Sequence, residues 1–272
     1  MTGLERFVEA KREEIKALES MSDEEFRPWP GKRPSFSRAL EGRGEGPLAV
    51  IAEYKRASPS RGVICKTLEP EEVALQYASS GAGAVSVLTE ERYFCGSLSY
   101  LARMEQALEK AGKNVPLLRK DFLFHPLQVA ATLATPASAL LLIVRLTPDV
   151  RLLRDLREQA EAGGVEAVVE VFDARDLALA RESGARILQV NARDLASLRV
   201  DRQACLRLAE DCPPKEGEVW IAASGMSCRA DLEAAANAGF HAALVGSALM
   251  EGGRPGEALQ RLLHGGEKSR EN

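Results

Sequence analysis

A closed (β/α)8 barrel is the fold this sequence predicts, and three observations predict it. Eight short apolar runs recur along the chain, each followed by a polar or glycine-containing loop and most by a longer amphipathic stretch. Alternation of this kind builds βαβ units and a parallel sheet, and eight such units favour closure into a barrel over an open doubly wound sheet. No Gly-x-Gly-x-x-Gly follows the first run, so the dinucleotide-binding form of the open sheet lacks its fingerprint. The length also fits, because 272 residues are close to one such barrel with a short addition.

The elements follow in order. Residues 1–47 precede the first run and read as a helical extension packed on the barrel. In it Leu4, Phe7, Val8, Ile15 and Leu18 fall close to helical spacing, with charged residues on the other faces. A Pro-containing stretch, Arg27–Gly31, and a short segment, Pro34–Leu40, come next. So few apolar residues cannot bury a core of their own. The barrel domain is expected over 48–264. Its strands are read at Leu48–Ile51, Ala84–Leu88, Val115–Leu118, Ala139–Val144, Val165–Val171, Ile187–Val190, Val219–Ala222 and Ala242–Val245. Their richness in Val, Ile, Leu and Ala suits strands buried on both faces. Helices between them include Glu71–Ser79, Ser97–Lys110, Pro148–Glu161, Ala174–Ser183, Ala230–Ala238 and Gly256–His264. The polar tail 265–272 reads as a disordered end.

Composition excludes several classes. The formal net charge of -4 gives no reason to expect nucleic acid or an anionic membrane as partner. A local cluster of lysines and helix N-termini can still bind a small anion. The five cysteines, Cys65, Cys95, Cys205, Cys212 and Cys228, are odd in number and form no Cys-x-x-Cys pair, which argues against a disulfide framework or a zinc site. The N-terminus lacks the apolar stretch of a signal peptide, and the longest apolar run, Ala139–Val144, is too short to cross a bilayer. A cytoplasmic protein with reduced thiols is expected, and a monomer is the default. No His, Asp and Glu group has metal-ligand spacing. None of His125, His241 and His264 ends a strand, and His241 begins strand 8, at the wrong end of the barrel.

Active sites of this fold lie at the C-terminal ends of the strands, so the polar residues that end the apolar runs carry the functional argument. Strand 1 runs into Glu53, Lys55 and Ser58. Strand 2 ends in Thr89-Glu90-Glu91 and strand 3 in Arg119-Lys120-Asp121-Phe122. Strand 5 ends at Glu170, strand 6 at Asn191 and Arg193, strand 7 at Ser224-Gly225 and strand 8 at Gly246-Ser247. Glu53 and Lys55 are two apart and share the face of Ile51. A Glu and a Lys side by side over an apolar floor suit acid and base work; alone, they could equally be a structural ion pair. Lys120, Glu170 and Arg193 converge on them from other strands, which structural pairs do not usually do. The two Gly-Ser turns in the last two units let backbone N–H groups approach an anion, and a phosphate site there recurs in this fold.

The segments IAEYKRASPSRG (51–62), SVLTEERYFCGS (86–97), PLLRKDF (116–122), LLLIV (140–144), VVEVFD (168–173), VNARDL (190–195), ASGM (223–226) and LVGSALM (244–250) resemble, in order, those of the indole-3-glycerol-phosphate synthases. The strand-1 and strand-3 motifs are specific, whereas the strand-8 motif is shared with other phosphate-binding barrels. The segment Lys11-Arg-Glu-Glu is similar to the family's extra N-terminal helix, which lies across the top of the barrel. The resemblance implies ring closure of 1-(2-carboxyphenylamino)-1-deoxyribulose 5-phosphate to indole-3-glycerol phosphate, with loss of carbon dioxide and water and with no cofactor. It implies Lys120 as the principal acid, Glu170 as base, Lys55 as second acid, and Glu53 orienting both lysines. Asn191 matches a substrate-orienting amide, and Arg193 a partner for the substrate carboxylate or the strand-1 Glu. Ser58, Ser224, Gly225, Gly246 and Ser247 match phosphate binders. Phe94, Phe122, Leu141 and Ile143 match the apolar pocket of the anthranilate ring, although by residue type alone they read as core.

The chain departs from that pattern at several positions. Ala223 stands where the family usually has Glu, and Gln189 where it commonly has Gly. Phe172, Ala192, His125 and Pro136 also differ. Gln189 shares an inward face with Asn191, and its amide is expected to fill space beside Ala223 and to bond Asn191 or Lys120. Two alternatives stay open beside ring closure: a related phosphate-binding barrel with an altered reaction, and a weakly active or non-catalytic homologue. Retention of Glu53, Lys55, Lys120 and Glu170 argues against both.

Overall fold

A computed structural model of the protein describes residues 4–42, 46–193 and 200–265. Eight parallel strands close into a barrel: β1 (Ala49–Tyr54), β2 (Ala84–Leu88), β3 (Leu117–Leu123), β4 (Ala139–Ile143), β5 (Glu166–Val171), β6 (Ile187–Asn191), β7 (Val219–Ala223) and β8 (Ala242–Val245). Each pairs with its neighbours in sequence, and β8 closes on β1 with Ile51 opposite Leu244. Helices between the strands form the outer ring, so the predicted (β/α)8 class holds.

Side chains alternate between two cores, as the pleat requires. Ile51, Leu118, Leu141, Val168, Ile221 and Leu244 point into the barrel. Val50, Val85, Leu142, Val169, Leu188 and Trp220 point out under the helices. This double burial explains why the strands read as continuous apolar runs. Two strands reach well beyond their apolar runs. β1 continues to Tyr54 and β3 to Leu123. Their polar residues extend the ladder into the mouth of the barrel, where an inward side chain meets the site instead of apolar packing.

The N-terminal segment uses both ends of the barrel. Helix α1 (Glu5–Glu19) buries Phe7, Lys11 and Leu18 and lies over the C-terminal mouth against Phe122. Helix α2 (Phe36–Glu41) plugs the opposite mouth with Phe36 and Leu40, which pack on Ala49 and Val219 in the inner core. Glu166 at the start of β5 fixes α2 by accepting the Phe36 N–H at 2.6 Å and the Ser35 hydroxyl at 3.2 Å. The Trp220 N–H donates to His241 Nδ1 at 3.0 Å, and His125 caps the helix Pro126–Leu133. The tail expected at 265–272 lies outside the described residues apart from Gly265. No helix among the described residues is long and apolar enough to cross a membrane.

Candidate active site

Two lysine–carboxylate pairs stand at the C-terminal mouth. Lys55 Nζ donates to Glu53 Oε1 at 2.7 Å. Lys120 Nζ lies 3.9 Å from Glu170 Oε2. Glu53 and Glu170 are buried, with 4% and 2% exposure, while the lysines are half-buried. All four line one cavity of about 500 Å³. Glu53 was expected to orient both lysines; the structure instead gives Lys120 its own carboxylate, Glu170, supplied by β5.

The β6 and β7 ends are tied together. Asn191 Oδ1 accepts the Ser224 hydroxyl at 2.8 Å and the Arg193 N–H at 3.0 Å. Ser224 and Gly225 are both left-handed, at φ 71° and 81°. Such backbone is uncommon for a serine, and here the hydroxyl bond to Asn191 helps to hold it. Gly225, Gly246 and Ser247 line the same cavity, and Ser58 joins them from a short antiparallel ribbon, Ala57–Ser58 with Gly62–Val63. A Cβ on Gly246 would come within 3.0 Å of Lys55 Nζ and closer still to Glu53 Oε1, so this glycine is what admits the Glu53–Lys55 pair. Arg193 also lines the cavity. Burial, and then Arg61 nearby, pull its guanidinium below its ordinary value, while Glu53 works in the other direction.

The apolar wall is formed by Phe94, Phe122 and Ile143. Leu141, expected in this wall, is instead fully buried in the inner core, two residues below Ile143 on β4, and does not line the cavity. Alternation puts both residues inward, but depth along the barrel separates packing from site. Gln189 also has a partner other than the expected one. It faces inward and is fully buried, but its amide nitrogen donates to Glu170 Oε2, not to Asn191 or Lys120. Glu170 and Gln189 are register partners across β5 and β6, which brings their side chains together.

Several cavity residues escaped the sequence reading, two of them on α1. Arg6 and Phe7 reach the site from α1. Phe7 stacks on Phe122 with centroids 3.9 Å apart and planes 8° apart, and meets Tyr93 edge-on at 5.2 Å. The helical spacing marked Phe7 as buried without saying against what. Lys11, one turn on, is anchored to β3: its Nζ is 2.6 Å from Asp121 Oδ1. Asp121 Oδ2 also takes the Thr89 hydroxyl at 2.5 Å and Arg119 at 3.1 Å. Burial alone would raise the Asp121 carboxyl, but Arg119 and Lys11 outweigh it and hold the group below its ordinary value. Glu90, another strand-end acid, accepts the N–H groups of Arg92, Tyr93 and Phe94 and so shapes the loop that carries Phe94. Asp194 lies outside the described residues.

A (β/α)8 barrel with lysine–carboxylate pairs at its C-terminal mouth and glycine turns after its last two strands defines the class, a barrel enzyme with its site in the strand-end loops. The sequence profile of the indole-3-glycerol phosphate synthases matches residues 4–262. The chain belongs to that family. It is 37% identical to the indole-3-glycerol phosphate synthase of Carboxydothermus hydrogenoformans over 96% of this chain and 99% of that one. It is 38% identical to that of Mycolicibacterium vanbaalenii over 97% and 95%. Among solved structures, thiamine phosphate pyrophosphorylase from Pyrococcus furiosus shares the fold, with a TM-score of 0.53 at 16% identity, covering 80% of this chain and 95% of that one.

Proposed function

We propose that the cavity closes the indole ring of 1-(2-carboxyphenylamino)-1-deoxyribulose 5-phosphate with these residues in these roles. As a member of its family the chain is a carboxy-lyase of tryptophan biosynthesis. The aromatic carbon must attack the C2′ carbonyl, and Lys120 donates a proton to that oxygen as the bond forms. The resulting cation is resonance-stabilised, and carbon dioxide leaves from the ring. Dehydration follows: Lys55, held by Glu53, protonates the departing hydroxyl, and Glu170 takes the ring proton. Arg193 pairs with the substrate carboxylate before it leaves, and Asn191 orients the chain. Ser58, Ser224, Gly225, Gly246 and Ser247 receive the phosphate through hydroxyls and closely approached backbone. Phe94, Phe122 and Ile143, joined by Phe7, take the aromatic ring. The protein works as a cytoplasmic monomer.

The observation that carries this reading is the meeting of two Lys–Glu pairs, at 2.7 and 3.9 Å, in one cavity that also holds the two glycine turns. An acid and a base on opposite sides of one substrate are what ring closure and dehydration need. The test mixes the purified protein with the substrate and follows indole fluorescence. Wild type is expected to turn over, and Lys120→Ala to lose about 10²-fold or more in kcat. Wild-type turnover by Lys120→Ala would remove Lys120 as the principal acid.

A further inference from the structure

We propose that Gln189 contacts the substrate, its amide nitrogen holding Glu170 and its amide oxygen accepting a hydrogen bond from a hydroxyl of the bound sugar chain. The inference rests on the reading of the substrate given above. Gln189 is fully buried in the inner face of β6 and lines the cavity. Its orientation is fixed by chemistry. An ionised carboxylate only accepts hydrogen bonds, so the end of the amide facing Glu170 must be the NH2 group. The carbonyl oxygen therefore points the other way. It is buried and meets no hydrogen-bond donor among the described residues.

A buried acceptor without a donor is unfavourable, and native proteins rarely keep one without a reason. Here the reason is the position. The phosphate turns, Gly225 and Gly246, and the aromatic wall, Phe94 and Phe122, line the same cavity as Gln189. A substrate with its phosphate in the one and its ring on the other spans the floor with its sugar chain. The ionised phosphate and carboxylate ends carry no donor, and the anilino N–H is taken up by the carboxylate ortho to it, so the chain hydroxyls are the donors left for this oxygen. The same amide then links the hydroxyl to Glu170, whose Oε2 also faces Lys120 at 3.9 Å. Substrate seated on Gln189 is thereby seated relative to the base.

Two variants test this, with two probes besides the substrate. The probes are the non-reactive analogue in which the C2′ carbonyl is reduced to an alcohol, and inorganic phosphate as a competitive inhibitor. Gln189→Met keeps nearly the same volume and removes both ends of the amide. Gln189→Asn keeps the amide but is one methylene short of Glu170. For Gln189→Met, analogue affinity and kcat are each expected to fall about tenfold, the scale of one hydrogen bond to a charged or buried group. Inhibition by inorganic phosphate should be unchanged, showing that the cradle is intact. Gln189→Asn should be impaired in the same direction. If Gln189 only filled space, Gln189→Met would match wild type in kcat, KM and analogue affinity while Gln189→Asn alone lost ground, and that pattern would overturn the inference. A wild-type protein that neither turned over the substrate nor bound the analogue would overturn the functional reading, and this inference with it.

Discussion

Replacing Lys11 by Met tests how α1 is held over the site. Lys11 is 4% exposed and Asp121 3% exposed, so their ion pair at 2.6 Å is buried. Removing one partner of a buried pair typically costs about 3–5 kcal/mol, because the other charge is left uncompensated. Here the loss is smaller. Asp121 keeps Arg119 at 3.1 Å and the Thr89 hydroxyl at 2.5 Å, and Met retains the apolar stem of the lysine. About 2 kcal/mol is expected, or roughly 30-fold in the ratio of docked to undocked α1. Hydrogen exchange of the α1 amides reads this directly. Undocking also takes Phe7 off Phe122, so KM should rise. The two Lys–Glu pairs do not involve Lys11, so kcat should change little. The pH dependence has a definite sign. Asp121 is held below its ordinary value, so its contribution is complete above the unfolded-state value of about 3.9 and is lost only as pH falls through the lower native value. Docking of α1 in wild type should therefore owe no pH dependence to this group above about pH 5. α1 amides exchanging at the wild-type rate in Lys11→Met, with KM unchanged, would refute the anchor.

Two further substitutions separate the ends of the barrel. Gly246→Ala needs no positive φ, with Gly246 at φ -121°, but drives a Cβ against Glu53 and Lys55; kcat/KM should fall about 10²-fold, the cost of a small misplacement at the chemistry. Phe36→Ala removes the aromatic plug of the far mouth, where Phe36 is fully buried; it should destabilise the fold by about 3–5 kcal/mol in denaturant titration while KM stays at its wild-type value.

What could be read from the sequence was what depends on short-range periodicity. Alternation along strand 1 put Glu53 and Lys55 on one face, and they do form a pair. Position after an apolar run marked Ser224-Gly225 and Gly246-Ser247, and both turns reach the cavity. What depends on how neighbouring strands are staggered could not be read. Leu141 and Ile143 have the same parity, and only the depth of β4 within the barrel makes one core and the other wall. The inward face of Gln189 was foreseen, but its partner was not, because the β5–β6 register decides that Glu170 lies opposite. Lys11 and Phe7 show the limit most plainly. A charged residue on a helix reads as a solvated face, and nothing local says that a carboxylate from β3 lies over that face.

The arrangement of charge explains how an acidic chain can draw in a doubly anionic substrate. The protein carries a formal net charge of -4, yet its cavity is lined by six cations, Arg6, Lys55, Arg61, Lys120, Arg193 and Arg202, against three carboxylates, Glu53, Asp121 and Glu170. The three carboxylates are all buried and each already faces a cation. Arg61 and Arg202 are exposed, and Arg6 and Arg193 are half-buried. An entering anion therefore meets a mouth in which cations outnumber carboxylates, and low-dielectric walls concentrate that field within it. Deeper in, it meets lysines whose charge is already balanced. On the roles proposed above, the rim binds the ends of the substrate while the floor handles its protons.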